Sequence, residues 1–151
     1  MSTEAQGHAT SFRERVAWLS IFAILGTLGP YLAWASVYPP TVPMPDLSTL
    51  SWFGVAVVAQ AVVLGGGQIW MRLRWPEDAC APADERDRAI ERRSVRIAYY
   101  TLIVGMVLVG CVMPFSASGW ALINAAVFAI VVAELAHYGI AVWCYRHGWN
   151  D

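Results

Sequence analysis

Runs of apolar residues long enough to cross a bilayer alternate with short polar stretches along the whole chain. Spanning ~30 Å of hydrocarbon takes roughly 20 helical residues at ~1.5 Å each. Four runs meet or approach that length: Val16 to Ser36, Leu50 to Met71, Ile97 to Met113 and Trp120 to Tyr145. The third is short for a full crossing. A charged segment with helical spacing precedes it and Pro114 closes it, so the pattern predicts the membrane part of a longer helix. The expectation is an all-α integral membrane protein with four transmembrane helices. In order, it comprises a tail (1–15), a first hairpin (16–71), a loop with a charged helix (72–96), a second hairpin (97–145) and a short tail (146–151).

Composition agrees with the pattern. The 151 residues are 58% hydrophobic and 14% charged, more apolar surface than one small soluble core can hide. Charge then orients the chain. Every basic residue besides histidine is arginine: Arg13 and Arg15 precede the first run, seven lie from Arg72 to Arg96, and Arg146 follows the fourth. The other two connections, VYPPTVPMPDLSTLS and PFSASG, have none. By the positive-inside rule both termini and the central loop are cytoplasmic. Trp18, Trp34, Tyr38, Trp52, Trp70, Trp120 and Trp143 fall near the ends of runs, where interfacial aromatics belong. A competing reading of the first run is a cleaved secretory signal ending at Ala33-Trp34-Ala35. The long polar leader, and the pairing of the first run with the second, weigh against it. Cys80, Cys111 and Cys144 are odd in number and scattered, suggesting neither a disulfide framework nor a zinc site.

Shifted by 74 positions, VVAQAVVLGGGQIWMRLRW (57–75) lies over VVAELAHYGIAVWCYRHGW (131–149), with Gln60 meeting Glu134. Either the chain holds two repeated helical hairpins, parallel about an axis along the membrane normal, or two apolar helices align by chance. On the fourth run Ala121, Ala125, Ala129, Ala133, His137 and Ala141 recur every four residues. Such a ladder lets another backbone approach closely, within one bundle or between copies, and Gly65 to Gly67 offer the second run a similar opening.

In the central loop, Pro76 and Pro82 oppose a continuous helix. From Asp84, a suitable N-cap, DERDRAIERRSVRIAYY places acids first and arginines later, as the helix dipole favours. Asp84, Glu85 and Glu91 stand three or four positions from Arg88. This segment reads either as a solvated extension of the third run or as a face for a partner or anionic lipid headgroups, carried by Arg88, Arg92, Arg93 and Arg96.

DERDRAIERRSVRIAYY, Asn124, AEL at 133–135 and YRHGW at 145–149 together resemble a family of small bacterial inner-membrane proteins of unknown function, over roughly the C-terminal half. The resemblance implies four spans, the bacterial inner membrane as location, and a hint of regulation, because genes of that family often sit beside small helix-turn-helix regulators. This chain has Arg-His-Gly-Trp where the family pattern has Arg-Arg-Gly-Trp.

Candidate chemistry centres on Glu134. A carboxylate near mid-span costs ~2.5 kcal/mol or more when ionised, so it is expected to face protein or water, with protonation as one relief. Gln60 or Asn124 would hydrogen-bond it, and His137, one turn away, would pair with it. The group is then either buried polar glue or a proton or ion relay. ExxH occurs once, without the second carboxylates of a di-iron bundle, and one intramembrane histidine does not supply two haem ligands within one chain. No metal or other cofactor is implied, and no catalytic signature is present. Nucleic acid is excluded as a partner, since the arginines lie at the membrane face among nearly as many acids. Two function classes remain: a non-enzymatic membrane protein that regulates, protects or scaffolds a partner through its charged helix, and an oligomeric transporter or channel subunit built around Glu134. The partners these imply are the bilayer, its anionic headgroups, and either another membrane protein or further copies of the chain.

Overall fold

A computed structural model describes residues 12–38, 46–77, 84–117 and 119–147. Within them the chain is all-helical, with four helices long and apolar enough to cross a membrane. Helix α1 spans Phe12–Val37, α2 Leu47–Arg74, α3 Glu85–Val107 and α4 Trp120–His147. Such a set suggests a multi-pass membrane protein. Cys80, Pro82 and most of the connection between α1 and α2 lie outside the described residues.

Local chemistry explains where the helices begin and end. The Asp46 carboxylate caps α2, accepting from the Ser48 and Thr49 backbone N–H groups. Hydrogen bonds from the Thr49 and Ser48 side chains join those two, and together they hold its carboxyl below the ordinary carboxylate range. Asp84 caps α3 in a reciprocal box with Asp87. From there one helix runs through the charged segment into the apolar one. At its far end it widens into a π-helical turn at Leu108–Val112, with the Met113 N–H donating to the Leu108 carbonyl. Pro114 follows in a short 3-10 turn. A proline ring clashes with the carbonyl four residues earlier in an α-helix, and the wider turn relieves that clash. Gly119 makes the reversal into α4 at φ 59°, a left-handed value that side chains resist. Ala33, Trp34 and Ala35 all lie inside the unbroken α1.

Three seams hold the helices together: α1 with α2, α1 with α4, and α3 with α4. No comparable seam joins α2 to α3, so one side of the four-helix arrangement is open. Helix α4, flanked by α1 and α3, buries Ala129 and Ala133 together with Val131, Val142 and Cys144. By contrast, α2 buries only Thr49 and Met71.

A tight contact lies between α3 and α4. A Cβ added at Gly105 would stand 2.7 Å from the Ala129 Cβ, closer than two carbons can sit. Between α1 and α2 the neighbour of Gly67 is the Leu19 side chain, also 2.7 Å from an added Cβ but able to move. On the alanine ladder Ala129 and Ala133 are buried, Ala125, His137 and Ala141 partly buried, and Ala121 exposed. Small residues matter here because lipid supplies no hydrophobic drive for helices to associate, leaving close packing to hold them.

Gly105→Ala should therefore lower thermal stability in detergent by ~1 to 3 kcal/mol, the usual cost of overpacking. Gly66→Ala, where an added Cβ meets nothing within 4 Å, makes the same chemical change without the clash and should not be destabilising. Equal melting shifts for the two variants would contradict the close crossing.

Candidate functional site

Polar side chains occur in three places. The first is the interior of the seams. The Thr27 hydroxyl lies between the Ala23 carbonyl, at 2.7 Å, and the Gln60 Oε1, tying α1 to α2. The Tyr31 hydroxyl donates to Asn124 Oδ1 at 2.8 Å, tying α1 to α4. Gln60 and Asn124, the hydrogen-bond partners expected for Glu134, are thus engaged elsewhere.

The second place is the arginine-bearing end. Arg13 Nε stands 3.2 Å from Asp87 Oδ2, and the Tyr145 hydroxyl donates to Asp87 Oδ1 at 3.0 Å. One carboxylate on α3 thereby receives donors from both α1 and α4. Beside it, Arg146 Nε donates to Glu14 Oε1 at 3.1 Å, and Glu14 is only 6% exposed. The Arg146 guanidinium also lies 5.2 Å from the centre of the Trp18 ring, and that of Arg15 lies 4.8 Å from Trp75. Side chains from four helix ends are gathered here. These pairings join different helices, whereas the sequence spacing offers Arg88 partners only within the charged helix. Among the described residues Arg88 makes no salt bridge with Asp84, Glu85 or Glu91, and the Asp84 carboxylate serves as the cap. The available signal was Glu14, an acid at the start of an apolar run with Arg146 predicted at the same membrane face.

Arg88, Arg92 and Arg96 fall on one stripe of α3, at spacings of four, and all are exposed; Arg93 is exposed on a neighbouring stripe. A cleft of about 300 Å³ among α1, α3 and α4, to which α2 contributes Arg72 on the open side, is lined by Arg13, Asp87, Glu91, His137 and Tyr145 and by apolar Phe12, Val16 and Ile90.

The third place is Glu134. It is exposed, on the groove between α3 and α4 and turned away from the buried seam. The reason is rotational. Ala129 and Ala133 must face α3, and Glu134 is one residue on, turned by ~100° in a helix of 3.6 residues per turn. It lines a groove of about 320 Å³ between α3 and α4, together with Ala98, Tyr99, Leu102, His137 and Tyr138. His137 is half-buried, stacks edge-on against Tyr138 with centroids 4.7 Å apart, and keeps a buried Nδ1 with no hydrogen-bond partner. Both His137 and Tyr138 also line the cleft on the open side. The pair thus separates a polar cleft from an apolar outer groove, with the carboxylate on the groove side. Glu134 and His137 share one site, whereas Gln60 and Asn124 belong to other seams.

Among the described residues no three histidine, cysteine, aspartate or glutamate side chains are grouped to hold a metal ion. The geometry defines a class: an all-helical protein with four membrane-length helices, an ion-paired end and a carboxylate in an outer groove. Comparison with family models, curated proteins and solved structures finds no match for the chain.

The ion-paired end makes an asymmetric prediction. Glu14 is buried and Arg146 half-exposed, so removing the arginine takes a counter-charge from the more deeply buried member of the pair. Arg146→Gln should cost roughly 1–3 kcal/mol more in thermal unfolding than Glu14→Gln, which keeps a hydrogen-bonding group in place. The double variant should recover part of the loss. Equal effects of the two single variants would show that the pair contributes nothing specific.

Proposed function

We propose that the protein is a non-enzymatic integral membrane protein of the bacterial inner membrane that regulates, protects or scaffolds a partner through α3. In this reading both termini and the arginine-bearing end are cytoplasmic, in keeping with the positive-inside rule. The observation that carries it is the way α3 is held. The helix continues unbroken from the apolar segment, its first turn is clamped through Asp87 to α1 and α4, and Arg88, Arg92 and Arg96 point outward along one stripe. A helix fixed at its base presents those guanidiniums as an ordered row, which lowers the entropic cost of docking. Acidic protein surfaces and anionic headgroups are the complementary partners, and each arginine near an anionic bilayer adds ~1 kcal/mol.

A second reading, a proton or ion relay in an oligomeric transporter or channel subunit, is favoured by one observation. His137 borders both the polar cleft and the groove that holds Glu134. Gln60 drops out of that relay, since it is bonded to Thr27 on a different seam.

Duplication of a helical hairpin is a further proposal. In its favour α2 and α4 are each 28 residues long and each follows the helix it pairs with. Their surroundings differ, α4 lying between two helices and α2 against one.

The docking reading is tested by replacing Arg88, Arg92 and Arg96 with Glu. Capture of the native membrane partner, or binding to phosphatidylglycerol vesicles, should fall by at least about tenfold, given ~1 kcal/mol for each arginine removed. The melting temperature should stay unchanged, because none of the three makes a salt bridge within the described residues. If capture and vesicle binding both persist, α3 is only a solvated extension of the third span.

A further inference from the structure

Neither the arginine stripe nor the clamped end accounts for a carboxylate on the outer surface of a membrane-length helix. Glu134 stands about 20 Å along α4 from Trp120, at ~1.5 Å per residue, close to the helix midpoint. An ionised group there, facing hydrocarbon, is costly unless it is paired. Among the described residues it has no salt bridge and no hydrogen bond. Arg96, the arginine nearest the groove along α3, makes no salt bridge either.

We propose that the groove between α3 and α4 is a binding site for a lipophilic organic cation that enters from the bilayer, with the Glu134 carboxylate as its counter-charge and Tyr99 and Tyr138 as flanking rings. Four observations select that ligand class. The groove floor is lowered by two alanines, Ala98 and Ala133, and its volume of about 320 Å³ lies within the range of small-molecule sites. Tyrosine faces attract cations, and the attraction grows where water is excluded. An inorganic cation is disfavoured, because one carboxylate among apolar walls cannot replace the several oxygens of a hydration shell. A second copy of this chain is disfavoured as the occupant, because the exposed faces of its apolar segments present Phe22, Leu25, Val58, Val62, Ile103 and Val104, whereas its exposed arginines lie at the arginine-bearing end. At the depth of Glu134 another copy brings its own Glu134, a like charge. The site requires neither docking through α3 nor proton movement through His137.

The test uses the full chain in detergent and in nanodiscs, with radiolabelled tetraphenylphosphonium as the probe and equilibrium dialysis as the readout. Saturable binding near one site per chain is expected. Glu134→Gln should weaken it about tenfold or more, since the counter-charge is lost in a low-dielectric site. Tyr99→Ala should weaken it severalfold while leaving the charge in place. Glu134→Asp keeps the charge on a shorter arm, and should bind more weakly than the parent protein but more tightly than Glu134→Gln. Each variant is checked by melting temperature; should Glu134→Gln not fold, Glu134→Asp and Tyr99→Ala decide, with weakened binding in both supporting the site. The proposal is overturned if binding does not saturate, or if the folded variants bind as tightly as the parent. It is equally overturned if the chain takes up no probe and instead forms a cross-linkable dimer that depends on Glu134.

Discussion

The close crossing of α3 and α4 at Gly105 and Ala129 is the constraint from which the rest of the arrangement follows. Lipid is as apolar as the helices, so their association depends on how near two backbones can come and how well their side chains then fit. With glycine on one helix and alanine on the other, no further carbon fits between them. That contact fixes the rotation of α4 about its axis. Ala133, one turn on, is carried inward; Val131, Val142 and Cys144 are also buried on this doubly flanked helix; Glu134 is carried out to the groove. An exposed carboxylate is thus placed by a packing contact more than a turn away.

A second set of interactions acts at the arginine-bearing end, where Glu14, Ile90, Ser94 and Cys144 are buried. Three of the four sides of the helix arrangement are closed, and the gap lies between α2 and α3. There the ends are joined by charge: Asp87 takes donors from Arg13 and Tyr145, Glu14 takes one from Arg146, and Trp75 at the end of α2 lies against Arg15. Exposed ion pairs are worth little, but Glu14 and Asp87 are partly or wholly shielded, and each links different helices. The clamp on Asp87 also holds the charged part of α3 against α1 and α4, which its own charges would not. Packing along the spans and ion pairing at one end therefore have different tasks. The first sets which residues face outward, and the second sets how the arginine stripe is presented.

Much of this architecture was legible in the chain. Four apolar runs became four helices, the charged segment and the third run became one, and Asp84 became its cap, because length, charge order and capping chemistry are local properties. Helix rotation was not legible. A helix that is apolar on every side carries no stripe to say which face is inward, so Glu134 could not be oriented, and Gln60 and Asn124 could not be assigned to Thr27 and Tyr31. The alanine ladder held part of that information, in Ala129 and Ala133, but nothing in it named Gly105 as the partner. The ion pairs were hidden for a different reason: Arg13, Glu14, Asp87, Tyr145 and Arg146 are distant in sequence, and only the assembled helices bring them together. Likewise, the π-helical turn before Pro114 is a consequence of the proline that a span count does not include.

The central claim is that α4 turns its Ile130 and Glu134 edge outward, beside the groove it forms with α3 and away from the buried seam. A nitroxide at Ile130, one turn before Glu134 and exposed on the same edge, reads this directly while leaving the carboxylate and the Gly105–Ala129 contact intact. In the protein reconstituted into bilayers, its collision rate with dissolved oxygen should match that of a nitroxide at Val58 on the outer face of α2. A rate at Ile130 well below that at Val58, with Val58 freely accessible, would mean that this edge is covered, and would contradict the account.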